Sequence, residues 1–177
     1  MLDNRYFTRF LTENEIQSLT KDLAAKINFD YEGKDLLLVC VLKGAVVFAA
    51  DLMRRLKGDV QIDFVRLSSY GRGLRSSGTV TLIKDISQDI RDRNVLIVEE
   101  IIDSGRTLRF LYDRLKAAGP ASLEIATLLD KSEKRVVDVP VKYVGKKVDD
   151  QFLVGYGLDL EEKARNLKDI YFLKYPN

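Results

Sequence analysis

The 177 residues predict an α/β fold with a mostly parallel central sheet flanked by helices. Two observations carry that expectation. A continuously apolar run of strand length, Leu36 to Leu42, suits a strand covered on both faces, and Leu123 to Leu129 reads as the next buried strand. Segments with apolar residues at helical spacing alternate with strand-like segments along the chain. No linker or internal repeat interrupts this alternation, so residues 1–177 are expected to form one domain, long enough to bury roughly 70% of the unfolded surface.

The elements follow in order. Thr12-Glu13-Asn14-Glu15 fits a capping box, and Ile16, Leu19, Leu23 and Ile27 then mark one buried helical stripe. Leu36 to Leu42 is a buried strand, Lys43-Gly44 interrupts it, and Ala45 to Leu56 reads as the following helix. Val60 to Leu67 alternates as a strand should. Ser68 to Gly78, rich in Ser, Gly and Arg with no apolar period, reads as a loop before the short strand Thr79 to Ile83. An apolar strand from Val95 to Val98 runs into Glu99 and Glu100, then into the turn Asp103-Ser104-Gly105-Arg106-Thr107. The helix after that turn buries Leu108, Leu111, Leu115 and Ala118 and stops at Gly119-Pro120. Leu123 to Leu129, Lys142 to Val144, Phe152 to Tyr156 and Ile170 to Leu173 supply the remaining strands. In sheets of this kind ligands sit beyond the carboxyl ends of the strands, where the turns at Lys43, Glu99 and Asp130 all fall.

Composition narrows the chemistry. Hydrophobic residues at 46% and charged residues at 32% describe an ordinary soluble protein, and a net charge of +2 argues against a nucleic-acid partner bound by bulk electrostatics. No apolar run is long enough to span a bilayer, and residues 1–5 do not read as a signal peptide, so a cytoplasmic location and no membrane partner are expected. Cys40, alone and inside an apolar run, reads as a buried core thiol. The chain has no histidine, which excludes Ser-His-Asp triads, Cys-His pairs and histidine-ligated zinc. A general base near neutral pH must then be a carboxylate, a lysine, a tyrosine or bound water.

The segment Asn94 to Leu111 is a pattern for holding a phosphorylated sugar. A helix N-terminus presents unpaired N–H groups and a positive dipole end to a phosphate. Gly105 permits close backbone approach, and Ser104 and Thr107 add hydroxyl donors. Glu99 and Glu100 repel phosphate; they suit sugar hydroxyls or a magnesium ion. Plainer readings stand beside these. Lys43-Gly44 is equally a solvent-facing turn, Asp103 a helix cap, Lys131 a surface lysine and Phe152 a core aromatic. Gly71-Arg72-Gly73 lacks both the third glycine and the strand-then-helix flanks of a dinucleotide motif.

Asn94 to Leu111 resembles the phosphoribosyl-pyrophosphate (PRPP) signature of the type I phosphoribosyltransferases, and in detail the hypoxanthine-guanine branch. The similarity extends from about Tyr6 to the C-terminus through LKGAVVFAADL, SSYGRGLRSSG, LLDK and FLVGYGLDLEEKARNL. One departure stands out: the purine branch usually carries Glu-Asp where this chain has Glu99-Glu100. The resemblance implies a small hood built from the terminal segments above the sheet. It also implies purine salvage, joining hypoxanthine or guanine to PRPP with release of pyrophosphate and a nucleoside 5′-monophosphate, with Mg2+ as cofactor. Glu99, Glu100, Asp103, Ser104, Gly105, Arg106 and Thr107 would bind the ribose phosphate, with Asp103 also the general base near purine N7. Lys43, Gly44 and Arg165 would bind pyrophosphate, with Arg135 nearby, and the Lys43-Gly44 peptide bond can be cis. Ser69-Tyr70 would belong to a flap that excludes water. Lys131 would donate to the purine 6-oxo group, Phe152 would stack on the ring and the Leu153 backbone would read its edge. Asp159 and Glu99 would face the metal. Self-association as a homodimer or homotetramer is expected on the same analogy. The competing readings are a PRPP- or nucleotide-sensing regulator on this fold and a sibling enzyme preferring xanthine.

Overall fold

The computed structural model of the protein describes residues 6–70 and 79–174. In chain order the elements are β1 (Phe7–Leu11), α1 (Glu13–Asp30), β2 (Leu36–Leu42), α2 (Val46–Met53), β3 (Val60–Tyr70), β4 (Thr79–Lys84), β5 (Asn94–Ile102), α3 (Arg106–Lys116), β6 (Ser122–Asp130), β7 (Tyr143–Lys147), β8 (Leu153–Val154) and β9 (Ile170–Leu173). A 3-10 turn covers Ser132–Lys134.

The apolar run predicted at Leu36–Leu42 is the middle of a six-stranded sheet ordered β4-β3-β2-β5-β6-β7. Only the edge pairing of β3 with β4 is antiparallel; β3, β2, β5, β6 and β7 run parallel. Helices α1 and α2 pack on one face, while α3 packs on the other. The two faces bury separate apolar clusters. Leu38, Cys40, Leu96 and Val98 meet the first pair of helices with Ile16, Leu23 and Phe48. Leu37, Val39, Val95 and Ile97 meet α3 through Leu108, Leu111 and Leu115. Consecutive strand residues thus serve opposite layers, as a period of two requires.

The chain winds outward from β2 through α2 to β3 in one direction, and from β5 through α3 to β6 in the other. The reversal falls between β2 and β5, and a crevice opens at their carboxyl ends. Above it stands a small antiparallel sheet, β1-β9-β8, built from the two ends of the described chain: the expected hood.

Local expectations hold in most places. The Thr12 side chain and Glu15 form the reciprocal capping box at the start of α1. Helix α3 ends at Lys116, just short of the expected stop, and the chain turns through Ala117 and Ala118 to Gly119, left-handed at φ 73°, before Pro120. Three expectations need correction. Ser68 to Tyr70 is strand rather than loop, because β4 offers ladder partners as far as the Tyr70–Thr79 pair; residues 71–78 lie outside the described residues. Helix α2 stops at Met53 instead of Leu56, closed by Arg55 and Leu56 N–H groups donating to Leu52 and Met53. Strand β5 continues through Glu99 and Glu100 to Ile102, since its ladder with β6 persists to the Ile102–Asp130 pair. The acids therefore sit on the strand and not in the turn after it. Among the described residues no helix is long and apolar enough to cross a membrane.

Candidate active site

The acidic pair divides between the two sides of the central sheet. Glu99 continues the face of Val95 and Ile97, and Glu100 continues that of Leu96 and Val98. Both line a cleft of about 250 Å³ with Val41, Leu42, Asp103, Ser104, Gly105 and Thr107. Burial first, then the Glu100 charge, raises Glu99 well above the ordinary carboxylate range. Burial also raises Glu100, against the opposing pull of a hydrogen bond from Glu99 and of the Arg165 charge. Glu100 Oε2 is buried with no hydrogen-bond partner. Two crowded acids with an unsatisfied oxygen form a set of hard donors short of positive charge, which fits a magnesium ion brought in with substrate phosphates. Among the described residues no three acids form a cation cage by themselves, and Mg2+ commonly takes only one or two carboxylates beside phosphate oxygens.

Glu100 fits because residue 44 is glycine. A Cβ on Gly44 would overlap the Glu100 carboxylate at Oε1 and Cδ. The Glu100 side chain thus reaches across to the turn after β2. That turn begins with a cis peptide bond at Leu42–Lys43. It falls one bond earlier than the Lys43-Gly44 position the resemblance suggested, where the chain leaves the strand.

Past β5 the backbone turns over Asp103 and Ser104 into α3. Gly105, at φ 81°, occupies the N-cap position, and no side chain caps the helix. Asp103 is therefore not the cap; the Arg106 N–H donates only at 3.5 Å to Ser104 Oγ, so the helix N-terminus stays accessible to an anion. A Cβ at Gly105 would lie 2.5 Å from the Val137 carbonyl oxygen and 2.7 Å from Arg135 Cδ, so glycine is required by space as well as by φ. The turn is braced from outside: Val136 and Val137 N–H groups donate to the Ser104 carbonyl at 3.0 and 3.1 Å. Arg135 pairs with buried Asp130, and its Cδ packs against the Ser104–Gly105 turn.

The β5–β6 register brings Asp103 and Lys131 together. Each is the residue immediately after the paired Ile102 and Asp130, and the Lys131 N–H donates to the Ile102 carbonyl at 3.0 Å. Lys131 is a buried ammonium, 3.0 Å from Asp103 Oδ1 and 3.4 Å from Asp150 Oδ1. Asp150 also accepts from Lys134 at 2.8 Å. Two residues on, Phe152 is 40% exposed at the start of the hood, and Leu153 pairs with Phe172.

The last segment folds back over the Lys43 turn. A Cβ on Gly157, whose φ is 100°, would overlap the Gly44 carbonyl, so hood backbone rests directly on that turn. Arg165 donates from Nη1 to the Gly157 carbonyl at 2.8 Å and pairs with Asp159 at 2.9 Å and Glu162 at 3.2 Å. Lys43 reaches Glu162 at 2.9 Å. Glu100 senses both the Arg165 and Asp159 charges. The structure thus gathers Lys43, Gly44, Glu100, Asp159 and Arg165 at one end, and Asp103, Lys131 and Asp150 at the other, with Glu99 and the Ser104–Thr107 turn between. Ser69 and Tyr70 end β3, and their side chains lie outside the described residues. Asp150, Glu162 and Gly157 escaped the sequence reading. The acidic pairs Asp149-Asp150 and Glu161-Glu162 look like solvated charge in a linear sequence, and their partners are distant along the chain.

The comparisons with known proteins agree with this geometry. A hypoxanthine-guanine phosphoribosyltransferase from Staphylococcus aureus is 46% identical over 164 residues, covering 93% of this chain and 92% of the relative. One of the same name from Streptococcus thermophilus is 45% identical over 174 residues, covering 98% and 97%. The crystal structure of a hypoxanthine phosphoribosyltransferase from Staphylococcus aureus superposes with a TM-score of 0.91 at 45% identity, covering 96% of this chain and 94% of that one. A hypoxanthine-guanine phosphoribosyltransferase structure from Bacillus anthracis gives a TM-score of 0.87 at 46% identity, covering 94% and 97%. Residues 8–161 match the model of the phosphoribosyl transferase domain, and the chain belongs to that family.

Proposed function

We propose that this protein transfers the 5-phosphoribosyl group from PRPP to hypoxanthine or guanine, forming IMP or GMP and pyrophosphate in purine salvage. The observation that carries the reading is the contact between Asp103 and Lys131, 3.0 Å apart, beside an open helix N-terminus at the switch point of the sheet. A carboxylate and an ammonium held side by side match the two neighbouring polar sites of an oxopurine, the N7 proton and the 6-oxo acceptor. Adenine presents an amino group where Lys131 needs an acceptor, and so is disfavoured.

The first turn of α3 and the Ser104 and Thr107 hydroxyls hold the sugar 5′-phosphate through N–H and O–H donors. This remote anchor lets binding energy orient the anomeric carbon. Glu99 and Glu100 accept from the ribose hydroxyls. Lys43, the Gly44 backbone and Arg165 bind the departing pyrophosphate, the arginine matching two phosphate oxygens at once. Asp103 takes the N7 proton as N9 captures the oxocarbenium-like carbon. Phe152 stacks on the base, and the Leu153 backbone reads its edge. Ser69 and Tyr70 stand at the root of the segment that excludes water. Glu99, Glu100 and Asp159 are the residues that would hold Mg2+, which when bound neutralises phosphate charge.

We read residues 1–177 as one catalytic domain that acts in the cytoplasm, where its phosphorylated substrate is retained, and that self-associates as a dimer or tetramer on the family analogy. Light scattering with mass determination checks the last point. The central test is a spectrophotometric assay with PRPP, Mg2+ and each of hypoxanthine, guanine, xanthine and adenine. Turnover with hypoxanthine and guanine is expected, xanthine should be the poorer oxopurine and adenine inert. Absence of turnover with every oxopurine overturns the reading.

A further inference from the structure

Glu162 occupies the point where the pyrophosphate cations converge. Its Oε2 accepts from Lys43 Nζ at 2.9 Å and from Arg165 Nη2 at 3.2 Å. Its own N–H donates to Asp159 Oδ2 at 2.8 Å, and Asp159 Oδ1 pairs with the same Arg165 at 2.9 Å. The surrounding loop is left-handed at three non-glycine residues, Glu161, Glu162 and Ala164, with φ of 52°, 64° and 69°. Backbone of this kind persists where surrounding contacts fix it, and it collects at ligand clamps. Lys43 and Glu162 lie 119 residues apart in sequence, so the bridge joins the turn after β2 to the hood.

We propose that Glu162 is an internal counter-anion of the pyrophosphate subsite: it bridges Lys43 and Arg165 while the subsite is empty, and yields both to the pyrophosphate group of PRPP or to free pyrophosphate. This rests on the assignment of Lys43 and Arg165 to pyrophosphate under Proposed function. The physical argument is a competition. A single carboxylate brings one negative charge to two cations, whereas pyrophosphate brings several and can take the arginine fork with two oxygens. The Lys43 and Glu162 side chains are 45% and 63% exposed, so their bridge is screened and weak enough to open. A ligand that binds only the open form loses apparent affinity in proportion to the closed fraction. The same factor applies to any anion that must displace Glu162 from both cations, inorganic phosphate included.

The test is Glu162→Gln, which keeps the shape and removes the charge. The KM for PRPP and the inhibition constant of pyrophosphate should each fall about three- to tenfold, the size that one or two exposed pairs can release. Inhibition by inorganic phosphate should tighten, and the KM for hypoxanthine should stay unchanged. Glu162→Asp, which withdraws the charge by one methylene, should move both constants the same way by less. If the PRPP and pyrophosphate constants rise or stay fixed in both variants, Glu162 is scaffolding for Arg165 and the proposal fails. Arg165→Lys separates the two levels. If it raises the KM for PRPP while Glu162→Gln lowers nothing, only the counter-anion idea is lost. If Arg165→Lys leaves that KM alone, the pyrophosphate assignment falls and the counter-anion falls with it.

Discussion

Asp103 and Lys131 lie side by side because two parallel strands end in register: each follows a member of the Ile102–Asp130 pair, and Nζ stands 3.0 Å from Oδ1. The acid and the donor assigned to the base are thus placed by sheet geometry, not by a loop. Asp103→Asn should lower kcat about a hundredfold or more, the usual worth of a positioned proton acceptor, with IMP affinity changed little. Calorimetric titration of IMP against the variant checks the second half; a collapse of affinity would assign Asp103 to structure.

Lys131→Ala removes a buried ammonium shared by Asp103 and Asp150. The KM for hypoxanthine should rise about ten- to a hundredfold, the worth of a charged hydrogen bond, while the KM for PRPP moves little. An unchanged constant for the base refutes the 6-oxo contact.

Gly44→Ala places a methyl group on the Glu100 carboxylate. Displacing that side chain should cost about 1–3 kcal/mol of stability and raise the KM for PRPP at least about tenfold. The double variant Gly44→Ala with Glu100→Asp should regain part of both losses, since it withdraws the carboxylate by one methylene. No recovery of melting temperature in the double variant would show that the overlap is not the cause.

Glu99 gives a pH dependence whose sign follows from its surroundings. Burial and the Glu100 charge raise its folded value above the ordinary 4.5, so on raising pH the unfolded chain releases this proton first. Ligand-free stability is therefore lost between that value and the raised one. Glu99→Gln should melt higher than the parent at neutral pH and show no advantage near pH ~3, where the carboxyl is protonated in both states. Equal melting temperatures across the whole range would contradict the crowding of the pair.

Burial, reinforced by the Glu99 and Glu100 charges, pushes the Cys40 thiol up to about 12. The thiolate is the reactive form, so a chromogenic disulfide reagent at pH 8 should label the folded protein only after denaturant is added. Rapid stoichiometric labelling without denaturant would place Cys40 at the surface.

Much of this was legible in the linear chain. Leu36–Leu42 announced a doubly covered strand, Thr12 and Glu15 a helix start, and Gly119-Pro120 a helix end, because each signal is local. The Asp103–Thr107 turn was legible for the same reason. What escaped depended on distant partners. Ser68 to Tyr70 has loop composition and becomes strand only because Thr79 to Thr81 pairs with it. β1, unread in the sequence, is defined by β9 at the other end of the chain. Asp150 and Glu162 look like solvent-facing charges until folding sets Lys131 and Lys43 beside them.

The interlock of Gly44 with Glu100 also bears on inheritance. A lineage with glutamate at the second acidic position is confined to glycine at residue 44, whereas a shorter acid would relax that confinement. The two positions, on adjacent strand ends, are coupled in one direction: a side chain at residue 44 is accommodated only once the acid at residue 100 has shortened, whereas shortening the acid needs no prior change.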